Sequence, residues 1–174
     1  MKYFSFAGQK CEAVFSPCGH YRYWLAREWG VAGLFGVFFL YNPSSADALW
    51  LDPTTMRCNN LAVQWGWRGF GIMNLIPAIT SDVDNANKMN IPEAINAEND
   101  IWLIRGRKFA DVLVLAPGAD GNSLLRSKIN DLSISGPFHA ISCNEDGTYK
   151  HPASIFNDEE LNRFTAPKQI FLNI

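Results

Sequence analysis

Four short runs in the chain are apolar at nearly every position: Phe35 to Tyr41, Gly69 to Leu75, Asp111 to Ala116 and the segment around Phe138 to Cys143. They do not alternate apolar with polar residues as a half-exposed strand would, and Gly, Pro, Asn or Asp punctuates the chain around them. The pattern predicts four strands buried on both faces. Between them the apolar period becomes helical. Asp52-Pro53 supplies an N-cap and a first-turn proline. Cys58, Leu61, Ala62 and Trp65 then fall on one face before Gly66 stops the helix. Pro92 opens a second helix in which Ala94, Ala97, Ile101 and Ile104 recur at helical spacing, ending near Arg107. Asn122 to Asn130 predicts a third, short helix, and residues 3–29 read as short strands and turns punctuated by Cys18-Gly19.

Helices connecting short, continuously apolar strands imply parallel pairing with both sheet faces covered and right-handed crossovers. The expectation is an α/β chain: a three-layer α/β/α sandwich around a central, mostly parallel four-stranded sheet. No repeat, linker or low-complexity segment divides it, so residues 1–174 read as a single domain.

Composition narrows the class only a little. With 48% apolar residues and six tryptophans the chain has the means to build a core. A net charge of -2 argues against coating nucleic acid through bulk electrostatics, although a local basic rim escapes that test. Cys11, Cys18, Cys58 and Cys143 lack the two-residue spacing of zinc ribbons and redox motifs. Cys11 and Cys18 with His20 are the one grouping that suggests a metal, and free thiols in a cytoplasmic protein are the plainer expectation, with no metal and no cofactor. The run from Val31 to Tyr41 is too short to span a bilayer and the N-terminus lacks a sustained apolar core, so neither a membrane nor an export address is expected.

Ligands of open parallel sheets sit beyond the carboxyl ends of the strands. In this chain those ends carry Asn42-Pro43-Ser44, Asn74, Pro117-Gly118 and the loop leading to His151-Pro152. Any one of these is ordinary turn chemistry. Four of them delivered to one rim predict a site.

The segment Asn42-Pro43-Ser44-Ser45-Ala46-Asp47, with Asp52-Pro53-Thr54 behind it, resembles the NPSTAD-type signature of a bacterial and phage family of unknown function. Tyr23-Trp24-Leu25, Arg27, Trp29, and Asp146-Gly147 followed by His151-Pro152 match it too. The chain departs from it in continuing Ala153-Ser154 where the family usually has leucine. More distantly, Asn-Pro-small after the first core strand, an asparagine ending a later strand and a His-Pro loop near the C-terminus are similar to the uracil-DNA glycosylase superfamily. That resemblance implies a three-layer α/β/α fold and hydrolysis of the N-glycosidic bond of a flipped pyrimidine in DNA. It further implies that Asn42 positions a water, Asn74 reads the base and His151 steadies the departing base, with genome defence or maintenance as the setting. A nucleotide- or nucleoside-processing enzyme, or a non-catalytic nucleotide-binding module, remains the alternative on the same scaffold.

The residue types suit that chemistry. As the bond breaks, positive charge grows on the sugar and negative charge on the base. An asparagine carbonyl can hold water at the anomeric carbon, an amide can meet a pyrimidine edge, and an imidazole can donate to the base oxygen. Asp47 is a further electrostatic candidate; Asp52 is either a helix cap or a site residue. Ser44 is small where the uracil-restricted branch carries a blocking tyrosine, so five-substituted pyrimidines, including phage-type modified cytosines, are expected to enter. Pro43, Tyr41, Trp50 and Gly118 complete the expected binding site, with Phe39 a further stacking candidate. Ile155, four residues past His151, occupies the position of a DNA wedge or else packs under its loop, with Phe156 beside it. Lys150, Arg163 and Lys168 are candidates for phosphate contacts. Neither the sequence nor the resemblance points to an obligatory protein partner.

Overall fold

The computed structural model describes residues 2–6, 8–47, 51–80, 90–155 and 157–172. The chain begins with three strands, β1 (Lys2–Phe6), β2 (Gln9–Phe15) and β3 (Arg22–Glu28). It continues through β4 (Phe35–Leu40), α1 (Pro53–Gln64), β5 (Gly69–Asn74), α2 (Glu93–Phe109), β6 (Val112–Leu115), α3 (Asn122–Asp131) and β7 (Phe138–Ala140). A 3-10 turn (Pro152–Ser154), the short helix α4 (Asp158–Asn162) and β8 (Lys168–Ile170) follow.

The four apolar runs form β4, β5, β6 and β7, paired in parallel in the order β5-β4-β6-β7. The sheet does not stop there. It has eight strands in the order β1-β2-β3-β5-β4-β6-β7-β8, so the expected four-stranded, mostly parallel sheet is corrected to a mixed one. β3 pairs antiparallel with β5, and β8 antiparallel with β7. The physical reason is that a parallel core has two edges with unpaired backbone groups. The N-terminal strands cover one edge and the C-terminal strand the other.

Helices lie on both faces. Along β4, Val37 and Phe39 join a core with α2 and α3 residues such as Leu103 and Leu125. Phe38 and Leu40 join a second core with Leu61 of α1 and Leu161 of α4. All four β4 residues are essentially inaccessible, as a strand sandwiched between two layers requires. Gly71 of β5 leaves the space that the Trp24 ring fills, and Trp24 in turn stacks on Trp102 of α2 at a centroid distance of 6.5 Å.

α1 matches its expected face: Thr55, Cys58, Leu61 and Ala62 are buried, and Asp52 caps it. α2 does not. Its buried face is Asn99, Trp102, Leu103 and Gly106, whereas Ala94 and Ala97 are exposed and Ile101 and Ile104 remain substantially so. Tryptophan, asparagine and glycine set the helix's orientation here, because Trp102 needs Trp24 and Gly106 lets the helix approach Met73.

One irregularity points at the site. The β2–β3 register pairs Val14 with Trp24 but Phe15 with Arg22, so Tyr23 is an extra residue in β3. A bulge reverses the alternation of side chains beyond it. It turns Arg22, at the start of β3, toward the Asn74 end of the neighbouring β5.

Candidate functional site

β4 and β5 run side by side with Leu40 opposite Asn74, and the Leu40 and Tyr41 carbonyls accept from the Leu75 and Ile76 amides. The two chains then part, and Asn42 lies two residues beyond the last strand pair. Its amide nitrogen is anchored, donating to the Thr80 carbonyl at 2.7 Å and to the Pro43 carbonyl at 3.3 Å. Pro43 in turn accepts from the Thr80 amide at 3.0 Å. With both amide hydrogens directed at main chain, Oδ1 of this half-buried side chain has no hydrogen-bond donor among the described residues.

Asp52 organises the loop that follows. One carboxylate oxygen accepts from the Thr55 amide at 2.6 Å and caps α1. The other accepts from the Ser44 hydroxyl, and from the Ala46 amide at 3.3 Å. Burial pushes the carboxyl upward, but the bonds from Ser44 and Thr55 and the attraction of Arg22 outweigh it and hold Asp52 below the usual range. The cap and the loop clamp are the same side chain.

Arg22 is 2% exposed and bridges two segments. Nη1 donates to the Ala46 carbonyl at 2.7 Å and Nη2 to Asn74 Oδ1 at 3.3 Å. Burial lowers its pKa to about 10, with Asp52 opposing, so the guanidinium stays charged at neutral pH. Asn74, also 2% exposed, therefore has its oxygen committed, while its Nδ2 is buried with no partner. The Asn74 main-chain carbonyl is fixed from the other face of the sheet by Asn99 of α2, whose amide donates to it at 3.0 Å and to the Leu75 carbonyl at 3.3 Å.

His151 caps the 3-10 turn: its Nδ1 accepts from the Ala153 amide at 3.1 Å. A nitrogen that accepts carries no proton, so the neutral ring bears its hydrogen on Nε2. Burial pushes the ring's pKa down to about 4, against the pull of Asp52, so neutral is the form present at pH 7. Gly118, at φ +80°, lies against the ring; a Cβ there would sit 3.3 Å from His151 Cβ. The 3-10 turn itself packs on α1.

The rim thus brings Ser44, Asp52, Arg22 and Asn74 into one bonded network, with His151 and Gly118 in contact and within the field of Asp52. Asn42, Asn74 and His151 share no direct hydrogen bond among the described residues. Pro43 is buried and Ser44 half-buried. Asp47 is half-buried; its main-chain carbonyl accepts from Arg27 Nη2 at 3.2 Å, and its charge adds to the field at Arg22.

Several expected roles are corrected. Tyr41 and Phe39 are buried in the core on the α2–α3 face and offer no open stacking surface. Ile155 is 1% exposed and packs with the α1-side core, so it is a packing residue and not a projecting wedge. Lys150 is ion-paired with Glu160 at 2.8 Å and lies over the Phe164 ring, so its charge is already engaged. Arg163 pairs with Glu159 at 3.0 Å. Trp50 and Phe156 lie outside the described residues. Cys11 is buried beside Arg27 and Cys18 is exposed beside Ser16, and no group of metal-ligating residues occurs among the described residues. No helix of the described residues is long and apolar enough to cross a membrane.

Arg22 and Asn99 are the site residues that sequence pattern missed. The signal for both was a polar residue inside an otherwise buried element, Arg22 opening the apolar run of β3 and Asn99 on the packed face of α2. A comparison with the curated proteins and another with the solved structures found no match. The family profile described as "Protein of unknown function (DUF1643)" matches residues 22–153, a span that begins at Arg22, passes His151 and contains the whole polar rim. The match covers well over half of the chain, which therefore belongs to the DUF1643 family.

Proposed function

We propose that this chain is a metal- and cofactor-independent DNA N-glycosylase: it hydrolyses the bond between deoxyribose and a flipped pyrimidine, on a fold of the uracil-DNA glycosylase type. The observation that carries the reading is Asn42, whose nitrogen is tied to the Thr80 and Pro43 carbonyls so that its oxygen is the end left for a ligand. A carbonyl oxygen held in place orients a water for attack on the sugar, and a weak base suffices when the sugar cation largely forms first. The neutral His151 ring, with its hydrogen on Nε2, supplies a donor for the charge that grows on the departing base. Asp47 and Asp52 supply negative charge that favours the sugar cation. Asn74 meets the base edge, and a base reaches it only when the atoms covering the amide move aside.

Ser44 is held by Asp52 and is small, so the site admits uracil and five-substituted pyrimidines, with phage-type modified bases among them. The experiment is base release from DNAs that carry uracil, thymine, cytosine or five-substituted pyrimidines, read as alkali-labile sites. Wild-type protein releases at least one of these bases and Asn42→Ala abolishes release. Release retained in Asn42→Ala removes Asn42 from its role.

A second reading is favoured by one pair of observations, the burial of Ile155 and the pairing of Lys150 with Glu160. A site whose Ile155 is packed into the core and whose Lys150 is already paired suits a free nucleoside or nucleotide. Product formation from deoxynucleosides or deoxynucleotides, without any release from DNA, would select it.

A further inference from the structure

Helix α2 carries two apolar faces, and the fold uses one. Ile95, Trp102, Leu103 and Gly106 turn toward the sheet with Asn99 among them, whereas Ala94, Ala97, Ile101 and Ile104 lie on the exposed side, about half the helix circumference away. Ile101 is 43% exposed and Ile104 36%. Neighbouring α3 has no such stripe: its exposed residues, Ser123, Arg126, Ser127, Asn130 and Asp131, are all polar. The outward residues of α2 recur at alternating steps of three and four, the spacing of a helix-packing seam. Charge along the seam divides by halves. Glu93 and Glu98 border its first half, and Arg105 and Lys108 its second. Glu98 accepts from the Trp102 indole at 3.0 Å and Arg105 lies over the same ring, so both are held beside the stripe. Asp100 and Arg107 are engaged within the chain, Asp100 with Lys128 and Arg107 with the Ser135 and Ala110 carbonyls.

We propose that this face of α2 is the interface of a homodimer, in which α2 packs antiparallel against α2 of a second copy about a two-fold axis at Ile101. A parallel pairing would set acidic half on acidic half; the antiparallel one sets each acidic half against the basic half of the other copy. About that axis Ile101 meets Ile101 of the second copy, and Ile104 faces the small Ala97. Lys108 lays its stem along Ala94 with its ammonium toward Glu93, and Glu98 faces Arg105. Each of these unlike pairs occurs twice, as a two-fold interface requires. The loop of Asn42 and Ser44 leads into α1 on the other sheet face, so the interface leaves the polar rim uncovered in both copies. The inference is therefore independent of the reaction at the rim. The seam is short, which makes the association weak, with a dissociation constant of about 10–100 µM.

The test is sedimentation equilibrium of the whole chain at concentrations from well below to well above that range. Wild-type protein is expected to pass from monomer to dimer across it. Ile101→Glu sets two carboxylates against each other at the axis and should weaken dimerisation about hundredfold, while its exposed position leaves the fold intact, as checked by circular dichroism. Glu93→Lys and Lys108→Glu, both at exposed positions, should each weaken it several-fold, and the two together should restore wild-type affinity, because only the antiparallel register exchanges one charge for the other. A wild-type chain that stays monomeric throughout overturns the inference, and flotation of that monomer with phosphatidylcholine vesicles would give the face to a lipid surface instead. A dimer indifferent to folded Ile101→Glu overturns it too, by placing the contact elsewhere, as does a double reversal that fails to restore affinity. None of these outcomes touches the glycosylase reading, which base release decides separately.

Discussion

At Asn42 and His151 the same local device recurs: a side chain ties one of its polar atoms to nearby main chain and leaves the other for chemistry. Asn42 gives up its nitrogen to Thr80 and Pro43, and His151 gives up Nδ1 to Ala153. The consequence for His151 can be measured through pH. Its ring titrates near 4 in the folded chain against 6.5 in the unfolded one, so between those values the unfolded chain binds more protons. Folding stability contributed by this group is therefore complete above about pH 6.5 and is lost as pH falls toward 4. Denaturant midpoints of wild type should fall across that window and those of His151→Gln should fall less. Base release that depends on neutral His151 should hold down to about pH 5, and a rate that declines around pH 6.5 would contradict the assigned protonation state.

Gly118 argues the same point from the neighbouring strand end. A φ of +80° is strained for any residue with a Cβ, and that Cβ would sit 3.3 Å from His151 Cβ and 3.9 Å from Cγ of its ring. Gly118→Ala should lower stability by about 1 kcal/mol and reduce base release disproportionately, because the ring must shift. A variant with that stability loss and full activity would separate Gly118 from the site.

Among the elements, the loop between β4 and α1 depends on one carboxylate. Asp52 caps α1 and holds Ser44 and Ala46, and Ala46 holds Arg22. Removing a helix cap costs about 1 kcal/mol, and leaving the buried Arg22 without its carboxylate neighbour adds to that. Asp52→Ala should therefore cost about 3 kcal/mol in a denaturant titration, with Asp52→Asn recovering part of it through the cap alone. A loss near 1 kcal/mol would show that the cap accounts for everything and that the clamp is idle.

How far the elements were legible follows from what each depends on. β4 to β7 were readable because burial on both faces leaves a continuous apolar run, and α1 because Asp52-Pro53 and Gly66 mark its ends locally. The sheet's width was not, because the pairing of β3 with β5 joins segments more than forty residues apart and no local pattern encodes it. The face of α2 was misread because Trp102, Asn99 and Gly106 carry it, and an aliphatic count passes over all three. Arg22 escaped for a related reason: the bulge that turns it toward Asn74 is a property of pairing with β2.

For the molecule as a whole, the proposed action on DNA requires a way of meeting the duplex, and charge decides which way is physical. Fifteen lysines and arginines are outnumbered by seventeen aspartates and glutamates, and near the His151 loop Lys150 and Arg163 are paired with glutamates. Each phosphate neutralised contributes roughly -0.9 to the slope of log affinity against log salt on duplex DNA. A protein so balanced should show a shallow slope, of magnitude below about 3, and Lys150→Ala should leave it unchanged. Ile155 completes the argument. Truncating a side chain 1% exposed in the α1-side core should cost about 2–5 kcal/mol of stability, as cavity formation does. At a temperature where Ile155→Ala is still folded, base release from single-stranded DNA should match wild type. If release from duplex alone collapses in that variant while the fold holds, Ile155 leaves its packed position when DNA binds and regains the part of a wedge. A steep salt slope sensitive to Lys150 would require the Lys150–Glu160 pair to open as well.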